Sequence, residues 1–171
     1  MVVLFPEFKD FRPNKTPKQV FNAGAFGGTY YRPIDSSITN KSYTSKQAME
    51  GFKDWFSSID METMVISENY DKHINKYKVK CGSSLEEWEK KRGSDGKDTW
   101  IVERDPYGWF QWYCRVSNGR IGKTPKDKHD DERQIKRWLG VAGPNGRFRR
   151  RLMNKIIKEN KEYNDYSISP V

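Results

Sequence analysis

Apolar side chains recur at helical spacing along much of this chain, and several of the segments that carry them open with a capping signal. A hydroxyl residue is followed three positions later by Gln or Glu at three places: Thr16 and Gln19, Thr44 and Gln47, and Ser84 and Glu87. This capping-box spacing lets each side chain bond a backbone N–H group that a helix start leaves without a partner. After the second box, the apolar residues keep the spacing of one helix face: Ala48, Phe52, Trp55 and Phe56. The pattern predicts a mainly α fold of short helices.

The last third of the chain predicts a basic helical hairpin over residues 130–160. Asp131 and Gln134 repeat the capping spacing, and Gly143-Pro144-Asn145-Gly146 must end the helix that they begin. A second helix then runs from about Arg147 to Asn160, with one apolar stripe: Phe148, Leu152, Ile156 and Ile157. Two helices joined by a tight glycine-containing turn form the helix-turn-helix plan, in which the second helix can enter the major groove of DNA.

A run of aromatic residues precedes this hairpin. Asp105-Pro106 predicts a helix start, with Asp as the cap and Pro in the first position, and Asn118-Gly119 predicts the helix end. Five rings fall within seven residues: Tyr107, Trp109, Phe110, Trp112 and Tyr113. A helix spreads them around its circumference, so some rings must be exposed or line a cleft. Trp109, Trp112 and Tyr113 are therefore candidates for stacking on nucleobases, and the alternative is that the rings build a core short of aliphatic residues.

The rest of the chain predicts a single domain over residues 1–171, with residues 1–15 as a candidate extended arm. A short β pair is expected near Tyr30 and Trp100. The glycine-rich segment 24–29 has neither the GK[ST] ending nor the GxGxxG spacing of nucleotide-binding loops. We expect it to let the backbone turn tightly against the core.

The charge of the chain is concentrated near its carboxyl end. Between Arg133 and Lys161, ten lysines or arginines face one acid, Glu159, so this segment carries a charge equal to the formal net charge of the whole chain, +9. Such asymmetry is typical of a protein that binds a polyanion. We expect nucleic acid as the partner, duplex DNA before RNA. The predicted nucleic-acid-binding residues are Arg115, Arg120, Arg133, Lys136, Arg137, Arg147, Arg149, Arg150, Arg151 and Lys155.

Three alternatives stay open for this basic segment. One is a solvated surface that only keeps the protein soluble, although four arginines within five residues are unusual for that purpose. A second is a surface for an acidic protein partner. The third is an enzyme acting on a nucleobase, such as a glycosylase, which needs a carboxylate beside an aromatic pocket and a phosphate-binding helix. Its candidate catalytic residues are Asp105, Asp130, Asp131 and Gln111. Against it, Asp105 and Asp131 are expected to be occupied as helix caps.

Metal, cofactor and membrane partners are not expected. The soft ligands Cys81, Cys114, His73 and His129 stand in no metal-binding spacing. No stretch approaches the roughly 18 consecutive apolar residues of a membrane span. Met1–Phe5 is too short for the apolar core of a signal peptide, and two cysteines make no disulfide framework. An intracellular location is therefore expected.

The aromatic and basic segments together carry a resemblance. The run from Asp105 to Arg115, the pair Gly119-Arg120 and the stretch from Asp130 to Trp138 resemble a family of small proteins that share the pattern DPxGWFQWYCR…GR…DxRQIKRW. Residues 24–32 are similar to a glycine-rich segment of that family, and Leu85 with Trp88 is similar to its middle. This chain departs from the pattern at Val116-Ser117-Asn118, which replaces a more aromatic stretch. The resemblance implies a shared architecture and no particular chemistry.

Overall fold

Helices are the main regular elements of this structure, a computed structural model that describes residues 5–78, 80, 85, 89–90, 101–120, 122, 124–160 and 162. The helices are, in chain order, Pro17–Asn22 (α1), Ser45–Ala48 (α2), Met61–Met64 (α3), Trp109–Ser117 (α4), Pro125–Ala142 (α5) and Arg147–Glu159 (α6). A 3₁₀ turn spans Lys53–Phe56. The predicted mainly α class, with a helical hairpin near the carboxyl end, is confirmed.

The first two predicted capping boxes are confirmed at the atomic level. At the start of α1 the Gln19 N–H donates to Thr16 Oγ1 at 3.3 Å, and the Thr16 N–H donates to Gln19 Oε1 at 2.8 Å. Thr44 and Gln47 repeat both bonds at the start of α2. The box predicted at Ser84 and Glu87 lies outside the described residues.

The helix that follows the second box is shorter than its apolar stripe predicts. It ends at Ala48, and Gly51 then adopts a φ of +87°, which breaks the helix before the 3₁₀ turn. Ala48, Phe52 and Phe56 are nevertheless buried together. The apolar stripe therefore predicted the core positions correctly. Its prediction of one continuous helix was wrong, because a turn and a 3₁₀ segment also keep these side chains on the buried side.

A short β pair exists, but it is more local than predicted. The strands Ile34–Ser36 (β1) and Lys41–Tyr43 (β2) pair antiparallel, with Ile34 opposite Tyr43. The pair therefore lies after Tyr30 and does not need a partner from the segment at Trp100, a residue outside the described part of the chain. Val102, at the end of that segment, forms only an isolated bridge with Asp105.

The aromatic helix begins later than its sequence suggests. Gly108 precedes it with a φ of +87°, a left-handed conformation that cannot lie inside a right-handed helix. The Gly108 N–H donates to the Asp105 carbonyl at 2.8 Å, which closes a turn over residues 105–108. Asp105 is therefore not the helix cap that we predicted. Its carboxylate does not bond the start of the helix and contacts other side chains instead. The helix ends at Ser117, as expected from Asn118-Gly119.

The long helix α5 begins earlier than predicted, at Pro125 rather than near Asp131. Its capping box uses an Asp in the third position: the Asp127 N–H donates to Thr124 Oγ1 at 3.2 Å, and the Thr124 N–H donates to Asp127 Oδ2 at 3.1 Å. Asp131 consequently lies within the helix and is buried. The predicted cap at Asp131 is wrong because a stronger start signal, with Pro in the first position, lies upstream.

Two aromatic clusters form the core, one on each side of α4. The first surrounds Phe21, Tyr31 and Phe52 and includes Cys114. The second contains the following buried residues: Phe11, Trp112, Tyr113, Val116 and Ile135. The rings that α4 spreads around its circumference therefore point into two separate clusters, and α4 joins them.

Residues 5–15 are folded onto this core, which corrects the expectation of an extended arm for that range. Phe11 is only 1% exposed. Its ring centroid lies 5.9 Å from that of Trp112 and 5.1 Å from that of Trp138, both in edge contacts. Aromatic edge contacts of this kind add to the free energy gained from burial. The segment is thus part of the second cluster.

Two glycines of the segment 24–29 allow a close approach between backbones, as predicted. Gly24 has a φ of +59°, and a Cβ there would lie 2.3 Å from the Ile74 carbonyl oxygen. Gly28 has a φ of +87°, and its Cβ would lie 2.0 Å from the Thr63 carbonyl oxygen. Any larger residue must displace backbone at both positions.

We expect Gly28→Ala to lower the free energy of unfolding by about 3 kcal/mol, because it adds an overpacking clash to the cost of a left-handed backbone. Gly119→Ala is a matched control, since Gly119 has a similar φ of +92° but has nothing within 4 Å of its Cβ position. The control should lose only about 1 kcal/mol. Urea denaturation of both variants measures the difference, and equal losses would contradict the close approach at Thr63.

Candidate nucleic-acid interface

The basic helix α6 is held beside α5 by a turn that needs glycine. Gly146 caps the start of α6, and a Cβ at this residue would lie 2.4 Å from the Val141 carbonyl oxygen. The Gly146 N–H donates to the Gly143 carbonyl at 2.8 Å, which closes the turn. The predicted turn at residues 143–146 is confirmed, and it fixes α6 against the end of α5.

Helix α6 has no fully buried residue, so most of its surface faces the solvent. Phe148, Leu152 and Ile156 recur every four residues and are half-buried, which makes them the packing side of the helix. The other side carries five cations and one amide, with the gaps between their side chains open to solvent: Arg147, Arg150, Arg151, Asn154, Lys155 and Lys158. We call this side the basic groove. Glu159, at its end, is the one acid that lines it.

Most of the cations on α6 have no acidic partner in the described part of the chain. Lys155 Nζ lies 3.9 Å from Glu159, and the Arg147 guanidinium lies 5.2 Å from the ring centroid of its neighbour Phe148. The residues that form no ion pair with another described residue are Arg147, Arg149, Arg150, Arg151 and Lys158. Their positive charge is therefore available to an external anion.

The arrangement of charge on α6 is unfavourable for an isolated helix. Its first turn contains Arg147, Arg149 and Arg150 and no acid, where the helix dipole favours negative charge. Gly146 offers no capping side chain. Arg151 lies four residues from both Arg147 and Lys155, and such like-charge pairs each cost a few tenths of a kcal/mol. Negative charge placed along the groove would relieve all of these effects.

Arg115 and Arg120, which we predicted to contact nucleic acid, are instead bound to a buried carboxylate. Arg115 Nε lies 2.8 Å from Asp105 Oδ1, and Arg120 Nη2 lies 3.2 Å from Asp105 Oδ2. Releasing both guanidinium groups would leave the buried Asp105 carboxylate without compensation, which costs several kcal/mol. Both side chains keep about a third of their surface exposed but are already paired, so they are less available to an external phosphate than the cations of α6.

The predicted binding residues on α5 also contact side chains of their own helix. Lys136 Nζ lies 2.5 Å from Glu132 Oε1, and Arg133 Nε lies 3.9 Å from Asp130 Oδ1. The Arg137 guanidinium donates to Gln134 Oε1 at 2.8 Å, and burial lowers the pKa of Arg137 to about 10, which leaves it charged at neutral pH. These residues are less available than the cations of the basic groove.

The four candidate catalytic residues are buried and face protein groups. Asp105 is 0% exposed; burial raises its pKa to about 6, against the opposing effect of Arg120 and Arg115. Burial also raises the pKa of Asp130. Asp131 accepts the Trp112 Nε1–H at 2.7 Å and the Gly122 N–H at 2.8 Å, and Gln111 Oε1 accepts the Tyr107 N–H at 3.0 Å. This geometry gives the enzyme alternative no support.

The proposed stacking rings belong largely to the core. Trp112 is 0% exposed and Tyr113 is 2% exposed, so neither presents a face to a base, and these two assignments are corrected. Trp109 is half-buried; its Nε1–H donates to the Gln134 carbonyl at 2.9 Å, and its ring stacks on Tyr113 with centroids 5.4 Å apart. The alternative that the rings supply a core short of aliphatic residues describes them better.

Sequence reasoning missed three exposed side chains of the candidate interface: Met153, Asn154 and Ile157. Met153 and Ile157 are the large apolar residues that remain exposed in the described part of the chain, and Ile157 had been expected in the packing stripe. The sequence could have indicated their exposure through the angular positions of these residues around the helix axis. Positions 153 and 157 fall on a different line of the helix from 148, 152 and 156.

Comparison of the chain with protein-family models, curated proteins and solved structures finds no match. The resemblance to the family with the DPxGWFQWYCR pattern therefore stays a prediction. In the described residues no cluster of three or more potential metal ligands occurs. None of the helices built from those residues has the length and apolar character needed to cross a membrane.

We expect Asp105 to make the stability of the protein depend on pH in a known direction. Its pKa of about 6 in the folded state exceeds the value near 3.9 of an unfolded Asp, so its stabilising contribution is complete below about pH 4 and is lost as the pH rises through about 6. Relative to Asp105→Asn, the wild-type protein should lose about 1 kcal/mol of unfolding free energy between pH 5 and pH 7.

Urea denaturation at several pH values measures this difference. Glu132→Gln provides the control, since the Glu132 side chain is 44% exposed and Lys136 lowers its pKa, so it stays ionised throughout this range. A wild-type advantage that grows from pH 5 to pH 7 would show that the arginines, and not burial, determine the pKa of Asp105.

Proposed function

We propose that this protein binds duplex nucleic acid, with DNA preferred to RNA, through the basic groove of α6. The observation that carries the proposal is the grouping of cations on one exposed side of a helix, with Arg147, Arg150, Arg151 and Lys158 unpaired within the described residues. Phosphates of a nucleic acid are the polyanion that such a row of charges recognises. Guanidinium groups suit them further, because they bond phosphate oxygens in a bidentate manner.

The dimensions of α6 suit a DNA major groove. An α-helix with its side chains is about 10–12 Å wide, and the major groove of B-DNA is about 12 Å wide. The cationic side of the helix is accessible for this docking, since none of the residues of α6 is fully buried. Helix α5 supports it from behind as the first helix of a helix-turn-helix pair does. RNA duplexes have a deep, narrow major groove that such a helix cannot enter, which favours DNA.

A surface that serves only solubility explains the charge pattern less well. Solubility requires mixed charges without preference for Arg, and it places acids in the first turn where they stabilise the helix. On α6 the first turn contains no acid, and the like charges repel along the groove. An acidic protein partner would relieve the same repulsion, so it remains the competing proposal that the experiment must distinguish.

We expect binding to a mixed-sequence DNA duplex to weaken steeply with salt, since phosphate contacts release counterions. The triple variant Arg150→Gln, Arg151→Gln, Lys158→Gln should bind at least about ten-fold more weakly at physiological salt. Its plot of log affinity against log salt should be shallower by about 3, one unit for each lost contact. Fluorescence anisotropy of a labelled duplex measures both quantities.

The matched control is Lys18→Gln, Lys46→Gln, Lys72→Gln, which removes the same charge from exposed positions outside α6. It should keep the wild-type salt dependence and most of the affinity. Equal effects of the two triple variants would show that only net charge matters and would contradict a defined interface. Tighter binding to an acidic polypeptide such as polyglutamate than to DNA would favour the protein partner instead.

A further inference from the structure

One neutral side chain lies in the middle of the basic groove. Asn154 is exposed, lines the groove with Arg150, Arg151 and Lys158, and forms no hydrogen bond with another described residue. Asn is a weaker helix former than Lys or Arg, and it contributes no charge to a phosphate contact. Neither helix stability nor electrostatic attraction therefore explains an Asn at this position.

Two apolar side chains lie beside it on the outer surface of the same helix. Met153 is 47% exposed and Ile157 is 73% exposed, whereas the other large apolar residues in the described ranges are better covered. Ile157 is three residues from Asn154 and four from Met153, which makes these side chains neighbours on the helix surface. An amide and an apolar contact thus stand side by side, with cations along the rest of the groove.

We propose that Asn154, Met153 and Ile157 recognise A·T base pairs in the major groove of duplex DNA. The Asn amide oxygen accepts from the N6 amino group of adenine while its NH₂ group donates to N7, and the apolar side chains contact the methyl group of thymine. Guanine presents two acceptors at the matching positions and cytosine carries no methyl group, so neither satisfies the set. The inference rests on the proposed function, because phosphate contacts must first place α6 in the major groove of the DNA.

A lipid surface is the other partner suggested by a basic helix with exposed apolar residues. Helices that lie on membranes bury a broad apolar face in the headgroup region. On α6 that face, Phe148, Leu152 and Ile156, is already half-buried on its packing side. Met153 and Ile157 alone offer too little apolar surface, whereas they suffice for contact with thymine methyl groups. The arrangement therefore favours DNA.

Anisotropy titrations with two duplexes of equal length, one of alternating A·T pairs and one of alternating G·C pairs, test the inference. The wild-type protein should bind the A·T duplex about ten-fold more tightly at equal salt, the discrimination expected of one bidentate contact. Asn154→Ala should remove this preference and keep the affinity for the G·C duplex. Ala is a better helix former than Asn, so unfolding of α6 cannot produce the loss.

A control and two modified duplexes make the test specific for the major groove. Asn22→Ala changes an exposed Asn on α1 and should leave the preference intact. Replacing adenine by 7-deazaadenine removes the N7 acceptor, and replacing thymine by uracil removes the methyl group. Each replacement should weaken binding of the wild-type protein to the A·T duplex. A preference that survives both replacements would come from the minor groove and would overturn the assignment.

The remaining outcomes separate this inference from the proposed function. Salt-dependent binding with equal affinity for the A·T and G·C duplexes overturns the recognition of A·T pairs and leaves the phosphate interface standing. No salt-dependent binding to either duplex overturns both. Tighter binding to phosphatidylserine vesicles than to either duplex overturns the inference and assigns the exposed apolar pair to lipid.

Discussion

The carboxylate of Asp131 connects the aromatic core to the helical hairpin. It accepts the Trp112 indole N–H from α4 and the Gly122 backbone N–H, while its own backbone belongs to α5. A carboxylate withdrawn from water is tolerated only when its oxygens are hydrogen-bonded, so this geometry is held strongly. Because α6 packs on α5, its direction relative to the core depends on this contact together with the Trp109 indole bond to the Gln134 carbonyl and the packing of Ile135. A surface that must fit a rigid partner needs such a fixed support.

The cations of this protein fall into two groups: those paired with a buried carboxylate and those exposed to solvent without an acidic partner among the described residues. Arg115 and Arg120 are bound to Asp105, which has no exposure to solvent, so they cannot turn outward without leaving that carboxylate unpaired. Arg150 and Arg151 form no ion pair with another described residue. Counting positive charges along the sequence therefore overstates the binding surface. Exposed lysines such as Lys18, Lys46 and Lys72 are scattered over other elements, whereas the exposed cations of α6 are grouped along one side of a single helix.

The parts of this structure that the sequence could predict depend on neighbours along the chain. The box at Thr16 and Gln19 and the turn at residues 143–146 use partners within a few residues. The cap predicted at Asp131 was wrong because the helix starts upstream at Pro125, and the bond that Asp131 accepts from Trp112, 19 residues away, is a contact that only tertiary packing creates. Arg120 lies 15 residues from Asp105 and was misplaced for the same reason. The groove on α6 was largely predictable, since spacing on one helix determines which of its side chains lie together.

In helix α6, the charges that would favour the proposed binding lower the stability of the helix in the free protein. Thirteen residues are marginal for a helix alone, and the first-turn arginines and repelling pairs weaken it further. In the free protein the half-buried stripe of Phe148, Leu152 and Ile156 offsets these effects. Phosphates along the groove would reverse the sign of each electrostatic effect, since an anion near the helix start interacts favourably with the dipole. The side chains that destabilise the free helix would then stabilise the bound one, so binding and helix order are coupled. Such coupling would be confined to the hairpin, because the aromatic core owes its stability to packed rings and a buried carboxylate away from α6.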